Sequence, residues 1–476
     1  MNRPTGGDNS LDRTAAMHRR DTATDVLTQA VIRYAVDRIH LDPPPLDGPR
    51  TLAELRAMCG RTITAEGIGG LEALRVFADV LAPACVSVDH PRYLSFVPTA
   101  PTEAAILFDL VAGASSVYGG SWLEGAGAVF AENEALAWIA SLAGLPPTAG
   151  GVFVSGGSAG NLSALVAARH RWRHVPGVSA DELERRARTR GLVVASSAVH
   201  SSVTAAARVM DVDLVKVPAD AQGRLGGEAL RATVAGLRPD ARARVCAIVA
   251  TAGTTNAGVV DDLQAAADVA RVNGWWYHVD GAYGGAALAA PSARHRFVGV
   301  EHADSFSVDP HKWLFAPYDC CALVYRDPMM ARAAHTQHAE YLDVLTDSGE
   351  WNPSDYAYHL TRRARGLPFW FSLATHGTER YREAVEACLT TARGAAALIA
   401  TASHTELVME PELSVVLFRR LGWSAAQYQA WSDRMLADGT TLTVPTMWAG
   451  DTVLRFCIVN PRTTLDDIET IVRSLA

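Results

Sequence analysis

The sequence predicts an α/β protein whose larger part is built on a mostly parallel sheet. Between about residues 100 and 325, short apolar runs alternate with stretches of helical periodicity, and the runs lack strict alternation of apolar and polar residues. Strands of this kind, separated by helices, are typical of a sheet that is buried on both faces. The strand candidates are residues 152–154, 192–195, 245–250, 275–279 and 321–325, and the helices between them include 159–173 and 263–273.

Two further regions flank this predicted sheet. Residues 21–40 carry apolar side chains at helical spacing, and the proline-rich residues 41–46 then break the helix. A lone amphipathic helix must bury its apolar stripe, either on its own domain or on a second subunit, and the pattern leaves both open. After helical segments around residues 375–401, two strands (413–420 and 453–459) and a helix (466–474) predict a small α+β domain.

Composition excludes several classes of partner. The chain has 476 residues, enough for two or three domains, and a formal net charge of −8, which disfavours binding to nucleic acid. Residues 1–21 are polar and lack the apolar core of a signal peptide, and no apolar run reaches the length of a membrane span. Seven irregularly spaced cysteines without a CxxC pair indicate reduced thiols. We therefore expect a cytoplasmic protein without a membrane, nucleic-acid or metal partner.

Polar residues follow the predicted strands, where sheets of this kind bind ligands. Residues 155–161 (SGGSAGN) form a glycine-rich turn into a helix, whose free N–H groups suit a phosphate. His200 and Thr251 follow the next two strands along the chain. Each of these signals is weak alone, because such turns are common and a single histidine is more often structural than catalytic.

Asp280 and Lys312 make the pattern specific. Asp280 ends an apolar strand, where the loss of hydration is costly for a carboxylate. The cost is offset if the carboxylate caps a helix or meets a cation such as a protonated ring nitrogen. Lys312 lies in the stretch 307–313 (SVDPHKW) beside the apolar residues Trp313 and Leu314, where a Schiff base would explain its presence. A phosphate turn, a flat ring partner, a carboxylate and an amine are the groups that pyridoxal phosphate (PLP) requires. Their order along one chain therefore predicts a PLP enzyme of amino-acid chemistry.

The sequence resembles the group II amino-acid decarboxylases, which depend on PLP, from about residue 20 to its C-terminus. The motifs that carry the resemblance are residues 90–99, 155–161, 200, 280–283, 309–313, 361–365, 369–371 and 454–461. The resemblance implies a fold type I PLP-dependent transferase-like architecture with a mostly parallel seven-stranded sheet. It also implies three parts: an N-terminal helical segment exchanged in a homodimer (1–90), a large PLP-binding domain (91–385) and a small C-terminal domain (386–476).

The resemblance also assigns roles to individual residues. Lys312 would bind PLP covalently, Asp280 would pair with the ring nitrogen, and His200 and Ala282 would cover the two ring faces. Gly157, Ser158 and His311 would hold the phosphate, with Thr251 and Asp261 close to the ring. The implied catalytic residues are Lys312, His200, Asp280 and a loop tyrosine that returns a proton to Cα. The implied substrate-binding residues are Phe96, Pro98, Thr99, Tyr118 and Arg455, of which Arg455 would hold the α-carboxylate.

The chain departs from the family pattern at three points. Asp309 replaces the asparagine that many relatives have before Pro-His-Lys, and an ionised aspartate would repel phosphate, so Asp309 is not assigned to the site. The candidates for the loop tyrosine are Tyr341, Tyr356 and Tyr358, and Tyr356 is selected. In the substrate pocket, Val88, Val97 and Gly120 replace bulky aromatic residues of the aromatic-acid enzyme. Glu124 lies nearby and would either cap a helix or receive a cationic tail.

The predicted reaction is therefore α-decarboxylation of an L-amino acid, with an aromatic substrate such as tryptophan or tyrosine favoured. Four alternatives use the same fold: an aldehyde synthase, an aminotransferase, a lyase, or a decarboxylase of a non-aromatic amino acid. A PLP-binding scaffold without catalysis is disfavoured because Lys312, Asp280 and His200 are all present. A nucleotide-binding dehydrogenase is disfavoured because the glycine-rich turn lacks G-x-G-x-x-G spacing.

Overall fold

A computed structural model describes residues 16–175, 177–337, 339–340 and 349–476. Contacts between Cα atoms divide the chain into two compact units, Met1–Ser87 and Val88–Ala476. Among the described residues, no helix is both long and apolar enough to cross a membrane. The described residues also contain no group of three or more His, Cys, Asp or Glu side chains that could hold a metal ion.

A seven-stranded sheet forms the centre of the second unit. Its strands, in chain order, are β1 (Gly150–Val154), β2 (Leu192–Ser196), β3 (Asp213–Val217), β4 (Val245–Thr251), β5 (Trp276–Asp280), β6 (Ser305–Val308) and β7 (Cys321–Tyr325). They are ordered β1-β7-β6-β5-β4-β2-β3. β7 is antiparallel to β1 and β6, and the other neighbouring pairs are parallel. The predicted mostly parallel sheet is therefore present, with the carboxyl ends of β1, β2, β4, β5 and β6 at one edge.

Two strands of this sheet escaped the sequence analysis, for different reasons. β3 is an edge strand, and the charged residues Asp213 and Lys216 on its partly solvated surface weaken the apolar pattern. β6 is buried, but it contains the serines Ser305 and Ser307 in only four residues. A short strand with alternate serines lacks the hydrophobic run by which a buried strand is usually identified.

Eighteen α-helices accompany the two sheets among the described residues. In chain order they are α1 (Thr22–Ile39), α2 (Leu52–Cys59), α3 (Gly70–Val76), α4 (Glu103–Ala114), α5 (Trp122–Leu142), α6 (Gly157–Arg173), α7 (Ala180–Arg188), α8 (Ser201–Val209), α9 (Gly227–Ala235), α10 (Pro239–Arg242), α11 (Leu263–Asn273), α12 (Pro291–Arg294), α13 (Pro310–Trp313), α14 (Pro328–His335), α15 (Leu367–His376), α16 (Thr378–Thr401), α17 (Ala425–Ala437) and α18 (Leu465–Arg473). Several of the helices that follow strands, including α6 after β1, begin at the edge where the parallel strands end.

The C-terminal region contains an antiparallel sheet of four strands. These are β8 (Thr405–Leu407), β9 (Val415–Arg420), β10 (Thr446–Trp448) and β11 (Asp451–Cys457), in the order β10-β11-β9-β8. One hydrophobic core includes Phe306 of the large sheet and Phe418 and Phe456 of the small sheet. The predicted domain boundary after residue 385 falls inside α16. The division into large and small domains therefore stays a prediction.

The first unit contains helices whose apolar side chains are largely uncovered. Asp21 caps α1 by accepting a hydrogen bond from the N–H of Thr24, and none of the 18 residues of α1 is buried. Val26, Val31 and Ile32 are each more than 40% exposed. The amphipathic helix predicted for residues 21–40 is present, and its apolar stripe is only partly covered.

A buried ion pair fixes the segment that precedes α15. Arg362 donates to both carboxylate oxygens of Glu132 on α5, at 2.7 and 2.8 Å, and also to the carbonyl of Gly119. The N–H of Gly366 donates to the same carboxylate at 2.7 Å. Both charged side chains are at most 3% exposed. Glu132 lies on α5, and its partners Arg362 and Gly366 come just before α15. The buried ion pair therefore joins α5 to the start of α15.

We expect Glu132→Ala to destabilise the fold by about 3–5 kcal/mol, because it leaves the Arg362 charge buried without its partner. The loss should appear as a lower urea midpoint with an unchanged m-value. Glu134→Ala, on the exposed side of the same helix, is the matched control and should cost about 0.5 kcal/mol or less. Equal midpoints for the two variants would show that the ion pair does not stabilise the fold.

Acid should destabilise the protein through its buried histidines, of which His335 is the clearest to test. Burial lowers the pKa of His335 to about 4, and its Nε2–H donates to the carbonyl of Ser163 at 3.0 Å. In the unfolded chain the pKa is about 6.5. The stabilisation is therefore complete above pH 6.5 and is lost as the pH falls towards 4. His335→Gln keeps a donor but does not titrate, so its melting temperature should fall less than that of the parent between pH 7.5 and 4.5. Parallel pH curves would contradict this assignment.

Candidate active site

One cavity of about 250 Å³ lies at the carboxyl ends of the parallel strands. All eight residues that the sequence assigned to cofactor binding line it: Gly157, Ser158, His200, Thr251, Asp280, Ala282, His311 and Lys312. These residues come from five separate strand ends and are spread over more than 150 positions of sequence. The fold therefore brings together the groups that the sequence could only place in order.

The turn from β1 into α6 forms one wall of the cavity. A side chain at Gly157 would place its Cβ 2.9 Å from the Cβ of Ala282 and 3.2 Å from an oxygen of Asp309, so only glycine fits. The N–H groups of Gly157 and Ser158 stand at the N-terminus of a 17-residue helix, where the backbone carries partial positive charge. Among the described residues neither N–H has a hydrogen-bond acceptor within α6, which suits an anionic ligand.

Asp280 forms the floor of the cavity at the end of β5 and is 4% exposed. Its Oδ2 accepts from the side-chain amide of Asn161 at 2.8 Å, and its Oδ1 accepts from the N–H of Ala282 at 3.1 Å. A carboxylate has room for further donors beyond these two. The arrangement keeps a negative charge at a fixed position, facing a cavity in which a protonated ring nitrogen would be stabilised.

Asp261 supports the cavity from behind and does not line it. Its two oxygens accept from the backbone N–H groups of Thr251, at 2.6 Å, and Leu225, at 2.7 Å. Burial raises the pKa of Asp261 to about 7 against the lowering effect of these bonds. The hydroxyl of Thr251 is buried without a hydrogen-bond partner in the described residues, so it is available to a ligand.

Lys312 forms an ion pair with Asp309, with 2.8 Å between Nζ and Oδ2. Burial alone would raise the pKa of Asp309, but the neighbouring charges of Lys312 and His311 lower it below the usual range. The same pairing raises the pKa of Lys312 despite its burial. His311 accepts from the N–H of Cys320 through Nδ1 at 2.9 Å, and burial lowers its pKa. Asp309, excluded by the sequence analysis, is therefore a direct partner of the lysine.

His200 stands at the N-cap of α8 and accepts from the N–H of Ser202 through Nδ1 at 3.2 Å. The hydroxyl of Ser202 also lies 2.8 Å from the same nitrogen. Both contacts fix one edge of the imidazole ring against the helix, so its opposite edge remains available to a ligand.

The five residues predicted to bind substrate do not line this cavity. Thr99 is buried and donates its hydroxyl to the carbonyl of Ala316, and Pro98 is buried beside it. Tyr118 donates to the carbonyl of Leu360 at 3.3 Å. Arg455 is buried and donates to the carbonyl of Phe96, whose own side chain is 60% exposed. Of the five, Phe96 alone presents a largely exposed side chain.

The surroundings of Tyr356 do not favour it as the mobile proton donor, a role that stays a prediction. Tyr356 is 3% exposed, and its ring stacks on Trp351 with 4.1 Å between the ring centres. Its carbonyl accepts from the hydroxyl of Tyr325, a core residue of β7. To reach Cα, this side chain would first have to leave its packing against Trp351. Tyr341 lies outside the described residues, and Tyr358 is 51% exposed.

Other residues that line the cavity were not assigned to the site from the sequence, and Asn161, Asp309 and Tyr318 are among them. Asn161 carried a usable signal, since it lies three residues after Ser158 on the same face of a helix. Tyr318 gave none, because it follows a short helix in an irregular segment. Glu124 accepts from the hydroxyl of Ser121, the N-cap residue of α5, at 2.8 Å.

The donor set fits PLP. Free helix N–H groups are present for a phosphate, a fixed carboxylate for a ring nitrogen, an unpartnered hydroxyl at Thr251, and an amine at Lys312. Gly157 adds the close approach that a side chain would block.

Comparison with known proteins agrees with this chemistry. The family model described as the pyridoxal-dependent decarboxylase conserved domain matches residues 71–421. The chain is 29% identical to an aromatic-L-amino-acid decarboxylase of Bacillus atrophaeus, over 90% of this chain and 89% of that protein. It is also 29% identical to an L-2,4-diaminobutyrate decarboxylase of Rhizobium meliloti (strain 1021), over 82% of this chain and 78% of that protein.

The fold agrees as well. A crystal structure of Oryza sativa TDC with PLP and tryptamine superposes with a TM-score of 0.84 at 25% identity, covering 96% of this chain and 97% of that one. The predicted fold type, PLP as cofactor and a carboxy-lyase that removes the carboxylate of an amino acid are thereby confirmed. The chain belongs to the pyridoxal-dependent decarboxylase family.

Proposed function

We propose that this decarboxylase acts on aromatic L-amino acids and that the residues around Lys312 perform the roles assigned from the sequence. The observation that carries the proposal is the convergence of Lys312, Asp280 and His200 on one cavity with the phosphate turn at its wall. The relative named as an aromatic-L-amino-acid decarboxylase, which matches nine-tenths of the chain, supports the substrate class.

In this proposal each wall of the cavity holds one part of the cofactor. Gly157 and Ser158 would hold the phosphate through their N–H groups, and Lys312 would supply the amine that binds the aldehyde. When bound, PLP supplies a ring that accepts the electron pair left when carbon dioxide departs. Asp280 keeps a negative charge beside the ring nitrogen, which favours the protonated ring. His200 and Ala282 would cover the two ring faces and fix its plane.

The charges of the cavity favour a substrate with an uncharged side chain. Three carboxylates line it, and in this proposal each has a cationic partner: Asp280 would have the cofactor's ring nitrogen, Asp309 pairs with Lys312, and Asp319 pairs with Arg365 at 2.6 Å. A cationic tail would meet no unpaired carboxylate among these lining residues, and an unpaired buried charge is costly. Tyr318 offers half-exposed aromatic surface instead, and Phe96 is retained as a proposed substrate contact.

We also propose that the enzyme is a cytoplasmic homodimer. The exposed apolar side chains of α1, Val26, Val31 and Ile32, support burial against a second copy of the chain. All seven cysteines are free thiols, which supports a reducing compartment. The loop tyrosine would then reach the cavity from the partner subunit, and Tyr358 is the described candidate.

Removing the charge of Asp280 should strongly slow turnover without abolishing cofactor binding. We expect Asp280→Asn to lower kcat about 100- to 1,000-fold, the usual loss for one fixed electrostatic group. The bound cofactor should persist in the visible absorbance spectrum, because phosphate and amine contacts remain. Asp268→Asn, which removes the same charge at a half-exposed position outside the cavity, is the control. Near-normal kcat in Asp280→Asn would contradict the proposed role.

A substrate panel tests the proposed class. Tryptophan, tyrosine and phenylalanine should each exceed glutamate, diaminobutyrate and ornithine in kcat/KM by at least about tenfold, which corresponds to ~1.4 kcal/mol. Carbon dioxide and amine should appear in equal amounts, whereas an aldehyde synthase would give aldehyde and peroxide. Lys312→Ala, tested on the same panel, should lose turnover of every substrate. Preference for a charged side chain would refute the proposal.

A further inference from the structure

Six buried side chains form a continuous hydrogen-bond chain behind the cavity. Trp276 Nε1 lies 2.8 Å from Ser305 Oγ, which lies 2.8 Å from His278 Nδ1. The Nε2 of His278 lies 2.8 Å from Oδ1 of Asn161. The amide nitrogen of Asn161 contacts both Asp280 Oδ2, at 2.8 Å, and Ser202 Oγ, at 2.9 Å. Asn161 is 1% exposed and is the branch point of the chain.

The position of each hydrogen in this series of hydrogen bonds follows from its two ends, the acceptor Asp280 and the donor Trp276. Asp280 can only accept when ionised, so the nitrogen of Asn161 must face it, and the Asn161 oxygen must accept from His278. Burial lowers the pKa of His278 to about 4, so His278 is neutral at pH 7, with its hydrogen on Nε2 and a lone pair on Nδ1. Trp276 can only donate, so Ser305 accepts from it and donates to His278. The direction of each bond is therefore determined.

The second branch of Asn161 carries this direction to His200. Ser202 accepts from the Asn161 amide, so its own hydroxyl hydrogen points to Nδ1 of His200, 2.8 Å away. The backbone N–H of Ser202 donates to the same nitrogen at 3.2 Å. A hydrogen on Nδ1 would face two donors, so the neutral ring must carry its hydrogen on Nε2.

We propose that Asn161 is a positioning residue that ties the Asp280 carboxylate to His200 through Ser202 and so presents His200 with its hydrogen on Nε2. The substrate or cofactor would then meet a fixed donor at the free edge of the ring. This inference deepens the proposed function and rests on it for the roles of Asp280 and His200. The tautomer itself follows from the hydrogen bonds alone.

Two measurements on the holoenzyme test the inference. Solid-state ¹⁵N spectra of histidine-labelled protein, assigned by difference from His200→Gln, should show a protonated Nε2 and an unprotonated Nδ1 at His200. The second measurement is kcat and KM for the best substrate in Asn161→Ala and Ser202→Ala. Ser163→Ala is the matched control, because this serine is buried on the same helix as Asn161 and its hydroxyl has no partner in the described residues.

We expect Asn161→Ala to lower kcat about 10- to 100-fold, as loss of a residue that orients a functional histidine usually does. KM should change less than kcat, and Ser163→Ala should change neither. In a double-mutant cycle, Asn161→Ala combined with His200→Gln should cost less than the product of the single losses, because both act through one group. Ser202→Ala, which keeps the backbone donor, should show a smaller loss and serves as the test if Asn161→Ala does not fold.

A His200 ring with its hydrogen on Nδ1 or on both nitrogens would overturn the inference. Multiplicative losses in the cycle, or folded Asn161→Ala and Ser202→Ala enzymes with kcat within twofold of the parent, would also overturn it. Failure of the proposed function is distinct: Asp280→Asn would then retain turnover, whatever the tautomer of His200.

Discussion

The buried carboxylate of Asp280 is the constraint on which the rest of the site depends. A charge at the end of a fully buried strand loses its hydration, and it is tolerated only where donors replace the water. Asn161 and the N–H of Ala282 are those donors. Each donor then needs partners of its own. Asn161 is hydrogen-bonded to His278, His278 to Ser305, and Ser305 to Trp276.

This requirement explains why polar side chains occur in the middle of an apolar sheet. His278 and Ser305 are fully buried on adjacent strands, where aliphatic residues would pack with less cost. They hold the Asn161 amide in one orientation, and the amide holds Asp280. A network in which every member is satisfied is rigid, because any rotation breaks a bond inside a medium that offers no substitute.

The other carboxylates of the site show how local surroundings separate similar groups. Asp309 meets the charge of Lys312, so its pKa is lowered and the two groups neutralise each other. Asp261 accepts from two backbone N–H groups, but burial outweighs them and raises its pKa to about 7. Asp309 keeps the lysine charged and in place, whereas Asp261 shapes the turn at Thr251. Two aspartates of the same cavity region thus serve different purposes.

The sequence by itself determined the fold class, the cofactor and the order of the residues that line the cavity. Apolar runs and strand-end residues are local patterns, so the glycine turn, Asp280 and Lys312 were found without coordinates. The edge strand β3 and the serine-containing β6 were missed because their patterns are mixed. Tertiary structure alone decided that Asn161 joins Asp280 to Ser202, that Asp309 pairs with Lys312, and that Tyr356 lies in the core. These facts depend on distances between residues up to 119 positions apart, which only the packing of helices on the sheet sets.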